Sequence, residues 1–99
     1  MITATFATAD WIRKNPDLVR RLSAAIYESA RWGNVKANQA RSGEIVAGIA
    51  KLDPGVVQNM TRATYSTSAD PKLLQPPLDF AYKYKFIDRA MTASELFVR

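Results

Sequence analysis

Cysteine and histidine are both absent from the 99 residues of this chain. Without cysteine there is no disulfide framework and no thiol nucleophile, and without histidine the commonest general base and metal ligand are missing. A Ser-His-Asp triad is excluded, and a zinc site built from carboxylates alone would be unusual. The four glycines form neither a phosphate-binding loop nor a nucleophile elbow. The sequence therefore predicts a protein that is not an enzyme and uses no metal and no cofactor.

Long hydrophobic runs are missing too. The first eleven residues, MITATFATADW, contain no basic segment followed by an apolar stretch, so they predict no secretion signal. No apolar run approaches the length that would span a bilayer, so no transmembrane segment is expected. A length of 99 residues allows one domain at most.

Charge of one sign is in excess but is not clustered. The chain carries 14 Lys and Arg against 9 Asp and Glu, a formal net charge of +5, which invites a nucleic-acid interpretation. No basic run exceeds two residues, however, and acidic residues are interleaved throughout, which favours solvated helix faces. Asp79 and Lys83, four residues apart on a predicted helix, are expected to form an exposed ion pair.

Hydrophobic periodicity predicts a mainly α fold, with several short helices after one short N-terminal strand. The strand is expected over the Thr-rich residues 2–8. Asn-Pro and Asp-Pro steps supply helix starts, Gly33-Asn34 is expected to end the longest helix, and Pro76-Pro77 should interrupt any helix. The helices are predicted at 9–14, 16 to about 32, about 37–52, 54 to about 64, a turn from 71, a new helix from 77, and a short last one opened by a Thr92–Glu95 capping box.

The longest predicted helix carries an apolar stripe, and its opposite face is predicted to be polar. The stripe consists of Leu18, Val19, Leu22, Ala25, Ile26 and Ala30, and the polar face of Arg20, Ser23, Tyr27 and Arg31. The chain has more aromatic and aliphatic residues than such short helices can bury, so part of its surface should be an interface. Trp11 and Trp32 could stack on a ligand, but core or interface positions are favoured.

Arg62 and Tyr65 are the candidate ligand-binding residues, because they precede a polar loop at the end of a predicted helix. A guanidinium group matches the oxygens of a carboxylate or sulfonate, so Arg62 is a candidate donor to an anionic ligand. The alternative, which the sequence favours, is an arginine that caps the helix end with a tyrosine packed beside it.

The order of these pieces resembles the C-terminal segment of periplasmic solute-binding proteins of ABC importers, in the nitrate, taurine and alkanesulfonate branch. The string TATFATADWIRKNPDLVRRLSAAIYESARWGNVKANQA is similar to a family segment with a short strand, a Trp-Ile helix, an Asn-Pro-Asp break and a long helix ending near Trp. The corresponding pieces here are Trp11-Ile12, Asn15-Pro16-Asp17, Arg31-Trp32 and the stretch from Asn38 to Leu52.

The tail YSTSADPKLLQPPLDFAYKYKFIDRAMTASEL is similar to the family's ending, in which a Gln-Pro pair, an Asp and a Lys-Tyr pair precede a final docking helix. These are Gln75-Pro76, Asp79, Lys83-Tyr84 and the stretch from Thr92 to Leu96. Lys85 stands where many members of the family have glycine, so the shape of the turn before Ile87 is an open question.

The resemblance implies that residues 1–99 are a single partial domain, the C-terminal part of a lobe of a type II periplasmic binding protein. Such receptors hold a small solute between two lobes and deliver it to a membrane permease. The implied function is non-enzymatic transport of a small, anionic solute, with the ABC permease as partner and a periplasmic location taken from the family alone. As an isolated fragment, the chain is expected to form a homo-oligomer through its uncovered apolar faces and not to bind solute tightly.

A second class of function stays open from composition. A small, basic helical module that binds nucleic acid or a protein partner would also account for the net charge and the surplus of apolar residues.

Overall fold

The computed structural model describes residues 3–97, and their contacts divide the chain into two compact units. The first unit is Ile12–Thr67, and the second combines the residues up to Trp11 with those from Ser68 onward. Helices account for 66% of the described residues, and no strand occurs among them, which confirms the mainly α prediction.

Five α-helices lie within residues 3–97. They are α1 (Ala9–Lys14), α2 (Pro16–Asn34), α3 (Gln39–Ala50), α4 (Pro54–Asn59) and α5 (Pro71–Lys83). A 3₁₀ turn at Lys36–Asn38 joins α2 to α3, and a second one at Ala93–Leu96 follows α5.

The prediction of an N-terminal strand is wrong for residues 3–8, and Ile2 lies outside the described residues. A strand is stabilised by the hydrogen-bond ladder of a neighbouring strand, and residues 3–97 contain none. Thr8 starts α1 instead, since its Oγ1 accepts a hydrogen bond from the Trp11 amide at 3.3 Å. The predicted bounds of α1 are confirmed.

The start of α2 at Pro16 is confirmed, with Asp17 in its first turn. The Gly33-Asn34 pair does not end it, because the helix continues through Asn34 and stops at Val35, whose backbone is extended. The carbonyls of the last turn find partners beyond the helix. The Asn38 side-chain amide donates to the Trp32 carbonyl at 2.9 Å, and the Gln39 side-chain amide donates to the Gly33 carbonyl.

The apolar stripe predicted for α2 is present, but it is not the face that packs within the unit. The buried residues of α2 are Ala30 and Gly33, which have little or no side chain. Ser23 and Tyr27, on the same side of the helix, are half-buried. The large apolar residues Leu18, Leu22 and Ile26 are exposed. Small residues allow the rest of the unit to approach the helix closely, which leaves the aliphatic stripe uncovered.

Helix α4 ends at Asn59, whereas its apolar residues predicted an end near Thr64. Its start is as expected, since the Asp53 carboxylate accepts a hydrogen bond from the Val56 amide at 3.1 Å. At the other end, the Asn59 side chain donates to the Gly55 carbonyl at 2.7 Å and so competes with the backbone for a helical acceptor. Met60 is extended, and the residues after it are hydrogen-bonded to Ser42 of α3 and Asn34 of α2.

Helix α5 runs straight through Pro76 and Pro77, so the predicted interruption there is wrong. Each proline removes one backbone donor from the helix, but Gln75 adds three hydrogen bonds next to them. Its side chain accepts from the Ala93 amide at 2.8 Å and donates to the Met91 carbonyl at 3.1 Å and the Asp79 carboxylate at 2.7 Å. These bonds fix the helix to the C-terminal segment.

The predicted ion pair between Asp79 and Lys83 does not form. Asp79 accepts from Gln75, one turn away in the other direction, and the Lys83 ammonium lies 5.5 Å from the centre of the Tyr84 ring. Both positions are exposed, and an exposed ion pair contributes so little that a neighbouring hydrogen bond or ring is enough to displace it.

The Thr92–Glu95 capping box is present, but it opens the 3₁₀ turn Ala93–Leu96. The Thr92 amide donates to the Glu95 carboxylate at 2.8 Å, and Arg89 pairs with the same carboxylate at 3.1 Å. The backbone bond first, and the Arg89 side chain second, lower the pKa of Glu95 from its usual 4.5. Both interactions stabilise the charged form of the carboxylate.

Lys85 adopts the left-handed backbone region, with φ of 60°, directly after α5. The Phe86 amide reaches back to the Ala81 carbonyl at 2.8 Å, and the Lys85 amide to the Tyr82 carbonyl at 3.0 Å. This is the Schellman arrangement that most often has glycine at the position of Lys85. The turn therefore has the backbone that glycine most often supplies, although residue 85 is a lysine.

We expect Lys85→Gly to raise the free energy of unfolding by about 0.5–1 kcal/mol, because it relieves a left-handed conformation that costs a residue with a Cβ about 1–2 kcal/mol. Lys85→Ala is the control, since it also removes the charge but keeps the Cβ, and it should bring no gain. Urea unfolding followed by circular dichroism measures both. Equal stability of the two variants would show that the backbone here is not strained.

Candidate functional site

The candidate residues Arg62 and Tyr65 both lie on the stretch after α4, which we call the 60–67 segment. It belongs to the unit Ile12–Thr67 and has no helix or strand of its own. Its position is set by side chains of α2 and α3, to which it is joined by hydrogen bonds across 20 to 31 residues of sequence.

The backbone of Tyr65 is held by the side-chain amide of Asn34, the last residue of α2. The Asn34 Nδ2 donates to the Tyr65 carbonyl at 2.8 Å, and the Asn34 Oδ1 accepts from the Tyr65 amide at 2.9 Å. One side chain thus pairs with both backbone polar groups of a single residue, as a residue on a neighbouring antiparallel strand would do. The 60–67 segment is fixed to the end of α2 at this point.

The ring of Tyr65 lies against Gly33. A Cβ atom at position 33 would be 3.2 Å from two carbons of that ring, which is closer than ordinary van der Waals contact. Glycine at this position therefore makes room for the aromatic ring inside a helix, where it otherwise costs stability. Among residues 3–97, the Tyr65 hydroxyl has no hydrogen-bond partner, and 41% of the residue is exposed.

The guanidinium of Arg62 is held against α3. Its Nη2 donates to the hydroxyl of the buried Ser42 at 2.8 Å, and its Nη1 would be 3.3 Å from a Cβ at Gly43. An arginine oriented in this way by a neutral hydroxyl keeps its charge and further N–H donors. It thus retains the chemistry needed to bind an oxyanion, at a fixed place on α3.

The two candidate residues are held by different helices. Arg62 rests on α3 and Tyr65 on the end of α2, and no hydrogen bond or cation–ring contact joins their side chains within the described residues. The alternative interpretation, in which Arg62 caps the preceding helix, differs from this placement, because α4 ends three residues earlier and the guanidinium bonds to Ser42.

Trp11 and Trp32, the other aromatic candidates, are both partly exposed and belong to different units. Trp32 lies in the last turn of α2, directly before Gly33 and Asn34, which contact Tyr65. Its own ring makes no ring contact with Tyr65 among residues 3–97. Neither indole is enclosed in a core, so an interface position, one of the predicted alternatives, fits their exposure.

Asn34, Gly33 and Ser42 position the candidate site and were not predicted for this role. Gly33-Asn34 was interpreted as a helix stop, since both residue types are typical of one. A glycine also allows another group to approach the backbone closely, which is its role here. The partner of the Asn34 side chain, 31 residues away, has no signature in a single sequence.

Within residues 3–97, no group of three or more acidic side chains is gathered in a way that would hold a metal ion.

The helices of the described part of the chain are all too short or too polar to cross a membrane.

No protein-family model matches this chain, and searches of curated proteins and of solved structures find no match either.

Proposed function

We propose that the chain is the C-terminal segment of a substrate-binding protein of an ABC importer, of the nitrate, taurine and alkanesulfonate type. In this proposal it is a non-enzymatic transport component that takes part in delivering a small, anionic solute to a membrane permease from the periplasm. Arg62 and Tyr65 are its ligand-binding residues, with the guanidinium as donor to the oxyanion and the phenol as a second polar group on the same segment.

The observation that carries the proposal is the amount of apolar surface left uncovered. Among the described residues, Val57 is the one large side chain that is fully buried. Large apolar side chains on three helices stay exposed, with 48% of Leu18, 80% of Ile49 and 60% of Phe80 accessible. Helices with such exposed faces are typical of a part of a larger fold, where a sheet or a second layer covers them.

The turn after α5 supports the same proposal. Glycine is frequent in the family at the position of Lys85, and here the lysine takes the left-handed backbone that a glycine would take. Gln75, Asp79 and the stretch from Thr92 form one hydrogen-bonded group, as expected for a tail that docks onto the preceding helix.

The first test is calorimetry of the isolated chain with taurine, nitrate and an alkanesulfonate. We expect no binding at micromolar concentration, because a partial domain offers one side of a cleft and cannot remove the solute from water. Micromolar binding by the monomer would contradict the proposal that residues 1–99 are a part of the receptor.

The second test is the coding sequence upstream of Met1. An in-frame continuation with alternating strand and helix patterns and a secretion signal is the expected result. A stop codon and a ribosome-binding site directly before Met1 would contradict the proposal, and would favour a short protein with a function of its own.

The net charge of +5 favours the alternative, a basic helical module that binds nucleic acid or a protein partner. Against nucleic acid stands the local pairing of the cations. Arg20, Arg41 and Arg89 each pair with a carboxylate on the same stretch of chain. A mobility shift of duplex DNA at near-physiological salt, with a steep salt dependence, would support the alternative, and its absence would support the transport proposal.

A further inference from the structure

The uncovered surface of α2 has a regular pattern, which we call the outer stripe. At 100° per residue, its members fall on one side of the helix over three turns. All of them are exposed, and Leu18 and Leu22 each keep 48% of their surface accessible. The outer stripe consists of Leu18, Leu22, Ala25 and Ser29.

The order of sizes along the outer stripe is complementary to itself in reverse. Two leucines stand in the N-terminal half, and two small residues, Ala25 and Ser29, stand in the C-terminal half. When two copies of α2 pack in opposite directions, Leu18 faces Ser29 of the second copy and Leu22 faces Ala25. Every layer then combines one large and one small side chain, which is how two helices fill the space between them.

The charges beside the outer stripe follow the same reversal. Arg21 and Glu28 lie one heptad apart on the same edge of the stripe, both exposed, and neither takes part in an ion pair within the described residues. In an antiparallel pair, Arg21 lies next to Glu28 of the second copy, and this happens twice by symmetry. In a parallel pair, Arg21 and Glu28 of one copy would face the opposite edge of the other copy instead. That edge consists of Val19 and Ile26.

The other edge of the stripe also fits the antiparallel arrangement. Val19 is half-buried and Ile26 is exposed, and in opposite directions they meet each other across the pair. One edge of the contact is therefore charged and complementary, and the other is apolar on both sides. Size, charge and polarity favour the same partner and the same orientation.

We infer that α2 forms an antiparallel pair with α2 of a second copy of this chain, with Arg21 of each copy paired with Glu28 of the other. The inference does not depend on the transport proposal, because it rests on the residues of α2 alone. It gives the expected homo-oligomer a defined surface and a two-fold symmetry.

Sedimentation equilibrium of charge variants tests the inference, over about 10 µM to 1 mM, since a contact as small as one helix pair associates weakly. Glu28→Arg places arginines opposite each other at both sites, and Arg21→Glu does the same with carboxylates. We expect each variant to raise the dissociation constant of the dimer about tenfold. The double variant Arg21→Glu/Glu28→Arg should restore the affinity of the original chain.

A mixture of the two single variants provides a second reading of the orientation. Each chain then carries two like charges on the edge, opposite in sign to those of the other chain, so an antiparallel heterodimer should form with about the affinity of the original homodimer. Asp88→Arg is the control for net charge, because Asp88 is exposed and outside α2, and it should leave the dissociation constant unchanged.

Three results would overturn the inference. A chain that stays monomeric up to about 1 mM would leave the outer stripe to a different partner, such as the remainder of a receptor. A dimer unaffected by both single variants would place the contact elsewhere. Single variants that weaken the dimer without rescue in the double variant would exclude the pairing of Arg21 with Glu28.

Discussion

Val57→Ala should lower the free energy of unfolding by about 2–3 kcal/mol. Val57 belongs to α4, is 0% exposed and packs against α3, where its Cγ1 would be 3.7 Å from a Cβ at Gly43. The substitution removes two buried methyl groups, each of them worth roughly 0.8 kcal/mol, and leaves a cavity that adds to the cost. In a small chain with so little buried apolar surface, this is a large part of the total stability.

Val56→Ala is the matched control, because it makes the same chemical change one residue away on the same helix. Val56 is 59% exposed, so we expect a change below about 0.5 kcal/mol. Urea unfolding followed by circular dichroism at 222 nm would measure both variants. A cost for Val57→Ala no greater than that for Val56→Ala would show that the packing of α4 on α3 does not stabilise this unit.

Asn34→Ala should lower the free energy of unfolding by about 2 kcal/mol. It removes the two hydrogen bonds, of 2.8 and 2.9 Å, that join the end of α2 to Tyr65, and each bond of this kind contributes about 1 kcal/mol. It also releases the 60–67 segment, so amide exchange at Tyr65 should become faster while exchange in the middle of α2 changes less.

The control for Asn34→Ala is Asn59→Ala. Asn59 is also an exposed asparagine at a helix end, but its amide bonds to the Gly55 carbonyl of its own helix, where it competes with the backbone. We expect a change within about 0.5 kcal/mol. If the two substitutions cost the same, the clamp between Asn34 and Tyr65 contributes nothing beyond a local bond.

Local signals in the sequence were enough to predict where α2, α4 and α5 begin. Pro16, Pro54 and Pro71 each occupy a first-turn position, and Asp53 and Asp70 accept the hydrogen bonds from amides of the first turn. These interactions involve residues two or three apart, so a single sequence contains both partners.

Helix ends depended on contacts that are distant in sequence. The end of α4 is set where the 60–67 segment turns back to meet Ser42 and Asn34, and α5 passes Pro76 and Pro77 because Gln75 is bonded to Met91 and Ala93. A propensity rule applied to the proline pair alone cannot include such bonds. Tertiary contacts override local preference in both places.

The orientation of α2 could not be predicted from periodicity, because the helix carries two faces that can pack. One is the aliphatic face with Leu18 and Leu22, and the other is the small-residue face with Ala30 and Gly33, which the unit uses. A rule that buries the most hydrophobic stripe assumes that all its partners belong to the same chain. The failure of that rule is itself an indication of an absent partner.

For the candidate site, the sequence indicated the candidate residues but not the residues of other helices that hold them in place. Arg62 and Tyr65 were singled out by their position between a helix and a polar loop. The structure shows that each is held by a residue from another helix, Ser42 and Asn34, and that two glycines make room for them. Their role in binding a solute stays a prediction.

The most direct test of the central claim, that a single chain leaves its apolar helix faces uncovered, is the urea dependence of unfolding at about 1 µM, where a weak dimer is dissociated. Its slope is proportional to the surface exposed on unfolding. We expect a slope smaller than that of compact domains of equal length, because large apolar side chains such as Leu18, Ile49 and Phe80 stay exposed in the folded chain. A slope equal to theirs would show a self-contained fold and would contradict the claim.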